Sequence, residues 1–200
     1  MKGSLIILSF FVAGLLAGVL HWIPQSLIDS DVSYVTLCLL MFCVGISIGN
    51  DADTLHNFRK IRWQYMLLPF MTIIGTLAGC AIVSLFMPWR SLTDCLAIGS
   101  GFGYYSLSSI FITEYRGPEL GTVALLANIV REIFTLLGAP LIARYFGKLA
   151  PISVGGATTM DTTLPIITRA VGQEFVIVSI CHGFLVDFSV PFLVTFFCSL

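Results

Sequence analysis

Residues 63–89 read WQYMLLPFMTIIGTLAGCAIVSLFMPW, a run of 27 residues without a charged side chain. Such a run predicts a transmembrane helix, because a bilayer core about 30 Å thick takes ~20 helical residues. Barrel strands are excluded here, since they alternate polar and apolar residues over about ten positions. The stretch therefore indicates a helical membrane protein.

The composition of the whole chain agrees with this fold class. The chain is 57% hydrophobic and 10% charged, whereas an average soluble domain is roughly 25% charged. Its net charge of −1, with no basic stripe, predicts no nucleic-acid partner. The six cysteines form no C-x-x-C pair, and we expect neither a metal nor a cofactor.

We predict seven membrane-embedded helical segments in a single transporter-like domain over residues 1–200. They lie at about 4–22, 33–49, 64–87, 95–113, 120–146, 152–170 and 175–199. The first is interpreted as a retained span rather than a signal peptide. The fold class is an all-α polytopic bundle with about five full spans and two broken or re-entrant helices, the fourth and sixth segments.

The two broken segments are recognised by glycine and hydroxyl residues. Residues 98–109 read IGSGFGYYSLSS and residues 155–165 read GGATTMDTTLP. Glycine inside a helix costs about 1 kcal/mol relative to alanine, and irregular backbone at membrane depth must be buried or line a wet cavity. Paired interruptions of this kind point to the binding site of a secondary transporter. For the second segment, a surface loop is the alternative.

Candidate site residues follow from these two segments. The helix-breaking residues are Gly101, Gly103, Gly155, Gly156 and Pro165. The side chains that could bind a substrate or an ion are Tyr105, Ser106, Ser108, Thr158, Thr159, Thr162 and Asp161.

Charged residues also lie inside predicted spans. Arg131 and Glu132 occupy the middle of the fifth segment, where a charge costs at least ~2.5–3.5 kcal/mol. Adjacent helical residues do not face each other, so we expect different partners for the two, with Asn128 on the face of Glu132. Asp187 is interpreted as a partner of Arg131 or as a second acidic relay. Either a substrate or proton site or a structural ion pair would explain the central charges, and His182 is more typical of helix packing than of a ligand.

Loop charges predict the orientation in the membrane. If all seven segments crossed, the loop Lys and Arg residues would divide six to three between the two sides. If the fourth and sixth segments re-entered, the division would be seven to two, which fits the positive-inside rule better. Both topologies put the amino terminus in the cytoplasm and the carboxy terminus outside.

Three motifs resemble one known family. GFGYYSLSS at 101–109, ANIVRE at 127–132 and GGATTMDTTLPII at 155–167 are similar to the bacterial lysine exporter family LysO. The resemblance implies export of L-lysine across the bacterial inner membrane, coupled to entry of protons or other ions such as sodium, with Glu132 as a critical acidic residue. Family members carry additional amino-terminal spans, which a separate small membrane subunit would supply here.

Other functions remain open at this point. The runner-up is a cation/proton antiporter or a sodium-coupled carrier of another small solute, because hydroxyls around Asp161 suit Na⁺. We do not expect an enzyme, since the chain has no H-E-x-x-H and no G-x-G-D motif. A non-transporting assembly subunit would have little use for central charges and two broken helices.

Overall fold

The computed structural model describes Ala13, residues 16–20, Val35, Leu39, Phe42 and residues 63–200. It divides into two compact units, Met1–Asn50 and Asp51–Leu200, and residues 63–200 of the second are described below. The predicted helices at about 4–22 and 33–49 lie mostly outside the described residues. The single domain over 1–200 stays a prediction.

Residues 63–200 are helical and contain no β-strand. In chain order the helices are α1 (Trp63–Leu85), α2 (Leu92–Gly99), α3 (Tyr105–Arg116), α4 (Pro118–Phe146), α5 (Ala150–Gly155), α6 (Leu164–Val171) and α7 (Val176–Ser199). Short 3-10 helices lie at Gly156–Met160 and Gln173–Phe175.

Three helices of this region are long and apolar enough to cross a membrane. They are α1, α4 and α7, the last counted from the preceding turn at Gln173. At 1.5 Å per residue, the 29 residues of α4 extend roughly 44 Å, more than the thickness of a bilayer core. The predicted spans at 64–87, 120–146 and 175–199 are thereby confirmed as helices of membrane length.

The predicted segment at 95–113 is a hairpin of two short helices. α2 ends at Gly99, residues 100–104 form a turn with positive φ at Phe102 and Gly103, and α3 begins at Tyr105. The outer ends of α2 and α3 lie together, since Arg116 Nη1 is 3.6 Å from Asp94 Oδ1. A segment whose two ends lie at the same side has a re-entrant course. We call α2–α3 the first hairpin.

The predicted segment at 152–170 folds in the same way. α5 is followed by the 3-10 helix Gly156–Met160, a turn at Asp161 and then α6, which has Pro165 in its first turn. Lys148 before α5 pairs with Glu174 after α6 at 3.0 Å, so this second hairpin also returns to the end at which it entered. α4 joins the two, so the hairpins enter from opposite ends of this long helix. The expectation that both segments are broken helices is confirmed, and their return to the same side of the membrane stays a prediction.

α7 is the central helix of the described region. It packs against α1, α2, α3 and the 3-10 helix Gly156–Met160, and Val186, Val190 and Val194 are fully buried. Arg116 donates from Nε to the Cys198 carbonyl at 3.0 Å, which ties the end of α7 to the first hairpin. Both hairpins therefore rest on one rigid helix.

Candidate functional site

The turns of the two hairpins meet at one place, which we call the hairpin crossing (Phe102 and Gly103 against residues 155–158). The Ala157 amide donates to the Phe102 carbonyl at 2.9 Å. A Cβ atom added at Gly156, whose φ is +61°, would overlap the same carbonyl oxygen. Glycine is required there for both the backbone conformation and the close approach. The two polar segments therefore meet, as two interrupted helices in lipid must.

Asn128 on α4 fastens the first hairpin to the middle of this long helix. Its side-chain oxygen accepts a hydrogen bond from the Gly103 amide at 2.7 Å. Its amide nitrogen donates to the carbonyls of Ala124 at 2.9 Å and Ile98 at 3.3 Å. Asn128 thus satisfies backbone groups that the missing helical turn would otherwise have paired.

Arg131, three residues further along α4, fastens the second hairpin. Its Nε donates to the Val154 carbonyl at 2.9 Å and its Nη2 to the Ser153 carbonyl at 3.1 Å, near the end of α5. Its guanidinium also lies 5.9 Å from the centre of the Phe102 ring. The guanidinium therefore binds a helix carboxyl end, where cations are favoured. Of the two interpretations of Asp187, the one that pairs it with Arg131 is not what the structure forms.

Glu132 lies on the same face of α4 as Asn128, one helical turn further along, and is 4% exposed. Both residues are buried in the described region, while the side chain of Arg131 turns to the second hairpin. This agrees with the geometric argument that neighbouring helical residues point in different directions. The carboxylate of Glu132 is thus buried at the middle of α4, close in sequence to Asn128 and Arg131, which bind the two hairpins.

The threonines of the second hairpin mainly stabilise its turn. Thr158 Oγ1 donates to the Gly155 carbonyl at 2.8 Å, and Thr159 Oγ1 donates to the Gly156 carbonyl at 2.8 Å. The Thr162 amide donates to the Asp161 carboxylate. Thr162 Oγ1 is buried and interacts with the same carboxylate. The Asp161 carboxylate is therefore supported by both the amide and the hydroxyl of Thr162.

The hydroxyl side chains of the first hairpin differ in their burial and in their hydrogen-bond partners. The Ser108 hydroxyl donates to the Tyr104 carbonyl at 2.8 Å and lies 3.5 Å from the Asn128 amide nitrogen. Ser106 is half-buried, and Tyr105 is buried at the start of α3. The contact between the hairpins is made by Phe102 and Gly103, so the predicted serines support the turn from within.

A group of acidic and phenolic side chains lies at the other side of the crossing. Tyr104, in the turn of the first hairpin, interacts electrostatically with both Asp187 and Asp161. The turn therefore places a phenol near two carboxylates that the sequence predicted. Tyr104 itself was not among the predicted residues, while the role of the neighbouring Tyr105 stays a prediction.

His182 connects three elements through a buried hydrogen-bond network. It is 1% exposed, and its ring nitrogens lie 2.9 Å from Thr72 Oγ1 and 3.2 Å from Thr159 Oγ1. Thr72 in turn donates to the Ser153 hydroxyl at 2.9 Å. The network joins α1, α5 and the 3-10 helix to α7, so His182 does bind polar partners within helix packing. Thr72 and Ser153 were not predicted, because nothing local in the sequence pairs residues so far apart.

A groove with several polar side chains opens between α1, α4 and α5. It has a volume of about 430 Å³ and is lined by Met71, Thr72, Gly75, Thr76, Arg131, Ser153 and Val154. Arg131 Nη1 lies 3.4 Å from Thr76 Oγ1 at this surface. The groove places a guanidinium and three hydroxyls around a space that could hold part of a small molecule.

Comparison with known proteins gives two relatives and one family model. The model described as "Lysine exporter LysO" matches residues 8–198. A protein named "Lysine exporter LysO" from Escherichia coli is 35% identical over 168 residues, which are 84% of this chain and 55% of that protein. A Haemophilus influenzae protein, also named for lysine export, is 34% identical over 166 residues, 83% of each chain. No solved structure gives a significant match.

Proposed function

The chain belongs to the lysine exporter LysO family of multi-pass membrane proteins, and we propose that it exports L-lysine from the cytoplasm. The chain spans about half the length of the Escherichia coli relative that it matches. We further propose that it resides in the bacterial inner membrane and works as an antiporter. A proton or a sodium ion would enter as lysine leaves.

The observation that best supports transport is the hairpin crossing, which Asn128 and Arg131 bind from the middle of α4. Two re-entrant hairpins from opposite ends of α4 meet through a backbone hydrogen bond at 2.9 Å. Transporter sites are typically formed near the membrane midplane by discontinuous helices of this kind. A purely structural bundle would have no need of two interrupted helices and of a carboxylate buried in the middle of a helix of membrane length.

The chemistry of lysine fits the charges around the crossing. Lysine carries two ammonium groups and one carboxylate, so its site needs acceptors for the first and donors for the second. Glu132, Asp161 and Asp187 would accept the ammonium groups, together with hydroxyls such as Thr162 Oγ1. A carboxylate that is occupied in turn by substrate and by a proton would couple the two movements.

Replacement of Glu132 by glutamine tests this proposal. Glu132→Gln keeps the volume of the side chain and removes its charge and its titration. We expect normal amounts of folded protein but no export, so cells fed lysine-containing dipeptides would accumulate lysine. Glu132→Asp should retain part of the activity, and Glu119→Gln, at an exposed glutamate of the same helix, should export normally.

One result for Glu132→Gln would contradict this proposal. Normal export by Glu132→Gln at normal protein levels would assign the buried carboxylate a structural role and would refute the mechanism. The measurement is intracellular lysine against time, with protein quantified in the membrane fraction.

A sodium-coupled carrier of another solute is the second candidate. The observation that favours it is the Asp161 carboxylate with the buried Thr162 hydroxyl beside it, since both groups supply oxygen ligands. Oxygen ligands of this kind suit Na⁺ in broken transporter helices. Uptake of labelled sodium that is independent of lysine, in vesicles containing the purified protein, would favour this alternative over lysine export.

A further inference from the structure

The groove between α1, α4 and α5 contains a guanidinium whose partners among residues 63–200 do not use all of its hydrogen-bond donors. Arginine has five N–H donors in a planar fork. In Arg131, Nε binds Val154 O, Nη2 binds Ser153 O and Nη1 approaches Thr76 Oγ1. Arg131 therefore has five donors for the three acceptors named here. All three acceptors are neutral, so they do not neutralise the positive charge of the guanidinium.

The positive charge of Arg131 is held in a fixed orientation at this surface. Two backbone carbonyls of α5 position the fork, and the Phe102 ring lies 5.9 Å from its central carbon. Because the guanidinium lines the groove, a molecule in the groove would meet its remaining N–H groups. An oriented cation in a partly buried groove favours an anion there.

The neighbouring side chains narrow the class of anion. Thr72, Thr76 and Ser153 contribute hydroxyls to the same wall. Thr72 donates its proton to Ser153, so Thr76 and Ser153 are the two that can donate to an oxygen anion. The planar fork of arginine matches a carboxylate through parallel hydrogen bonds. The volume of about 430 Å³ suits part of a small molecule. A carboxylate therefore fits the charge, the donors and the size together.

We propose that this groove is the subsite for the α-carboxylate of the transported amino acid. This inference rests on the proposed function and adds the residues that distinguish an amino acid from a simple diamine. Arg131 and Thr76 bind the carboxylate, and the acidic residues near the crossing bind the ammonium groups. The subsite accordingly determines specificity rather than ion coupling.

Competition between lysine and cadaverine tests the subsite, because cadaverine is lysine without its carboxylate. Inverted membrane vesicles take up labelled lysine, and unlabelled lysine or cadaverine competes. For the unmodified protein, we expect cadaverine to compete at least about tenfold more weakly than lysine. Thr76→Val should raise the half-saturating lysine concentration about tenfold while leaving the inhibition constant of cadaverine unchanged.

Two matched controls accompany this variant. Thr76→Ser restores a hydroxyl and should restore lysine affinity. Thr122→Val removes the hydroxyl of a half-buried threonine on α4 that lies outside the groove and donates to Pro118 O at 2.8 Å. This variant should behave like the unmodified protein.

A steric pair tests the same space without altering a polar group. A Cβ atom added at Gly75 or at Gly79 meets no atom within 4 Å, so both positions accept a side chain. Gly75 lines the groove, whereas Gly79 lies one turn further along α1. Gly75→Leu should weaken the binding of lysine and leave the binding of cadaverine unchanged. Gly79→Leu should weaken the binding of neither.

The outcomes separate the subsite from the proposed function. Equal effects of Thr76→Val on lysine and cadaverine, or no effect on either, would overturn the subsite. The same holds if acetate or chloride at millimolar concentration weakens the binding of cadaverine and of lysine alike, since cadaverine does not occupy the groove and the anion would then act elsewhere. An unmodified protein that takes up no lysine would overturn the proposed function and the subsite together.

Discussion

Gly156 is the residue on which the hairpin crossing depends most directly. Its φ is +61°, and a Cβ atom there would overlap the Phe102 carbonyl oxygen, which accepts the hydrogen bond from Ala157. Gly156→Ala should therefore destabilise the protein by roughly 2–4 kcal/mol, from backbone strain plus the displaced contact. The measurement is the thermal unfolding midpoint of the detergent-solubilised protein.

Gly147 offers a matched control for this substitution. Its φ is +90°, so alanine is strained there too, but a Cβ atom would meet nothing within 4 Å. Gly147→Ala should cost only the backbone strain, about 1 kcal/mol. Equal midpoints for the two variants would show that the close approach at Phe102 does not stabilise the fold.

Some site residues could be predicted from the sequence because their signals are local. Arg131 and Glu132 stand out as charges in an apolar helix, and Asn128 follows from helical periodicity. Thr72 and Ser153 carry no such signal, since a single hydroxyl in a membrane helix is unremarkable until its partner is known. Their position depends on pairing between residues far apart in the chain. Such pairing leaves no recognisable spacing in a single sequence.

At the scale of elements, the two hairpins predict an unusual labelling pattern. Ser91 before α2 and Glu119 at the start of α4 are exposed on the same side, as are Lys148 and Gln173 on the other. Single cysteines at positions 91 and 119, in a chain freed of its six native cysteines, should react with a membrane-impermeant maleimide from one side only. Cysteines at 148 and 173 should react only from the opposite side.

A different pattern would exclude re-entrance. If α2–α3 crossed the membrane, positions 91 and 119 would be labelled from opposite sides, and the same holds for 148 and 173. Labelling of intact cells and of inverted vesicles separates these possibilities.

The breaks in the helices were predictable, but their hairpin geometry was not. Gly101, Gly103, Gly155 and Gly156 mark both interruptions, because glycine weakens a helix wherever it occurs. Whether a broken segment crosses or returns depends on contacts such as Asp94 with Arg116, which join its two ends. The distribution of loop charges favoured return, although by a difference of only one residue.

For the whole molecule, the charges of the described loops predict the orientation. Arg144, Lys148 and Arg169 lie toward the side of the second hairpin, and Arg90 and Arg116 toward the other. Both arginines of the latter group are paired with acidic residues, Glu119 and Asp94. We therefore expect the second hairpin to face the cytoplasm and the carboxy terminus to lie outside.

Reporter fusions at the carboxy terminus measure this orientation. Alkaline phosphatase joined after Leu200 should be active, since it folds only outside the cytoplasm, and a cytoplasmic fluorescent reporter there should be dark. A fluorescent carboxy terminus without phosphatase activity would reverse the assignment of the two sides.

The short contact at the hairpin crossing also has an electrical consequence. Each hairpin carries polar backbone toward the crossing, so in a membrane the same voltage would fall over a shorter distance at Phe102 and Ala157 than along α1, α4 or α7. A unit charge moved through 100 mV exchanges about 2.3 kcal/mol. Lysine, the proposed substrate, would leave with one net positive charge against an interior-negative voltage. One proton entering per lysine would cancel that work, so such an exchanger would respond to the pH gradient and not to the voltage.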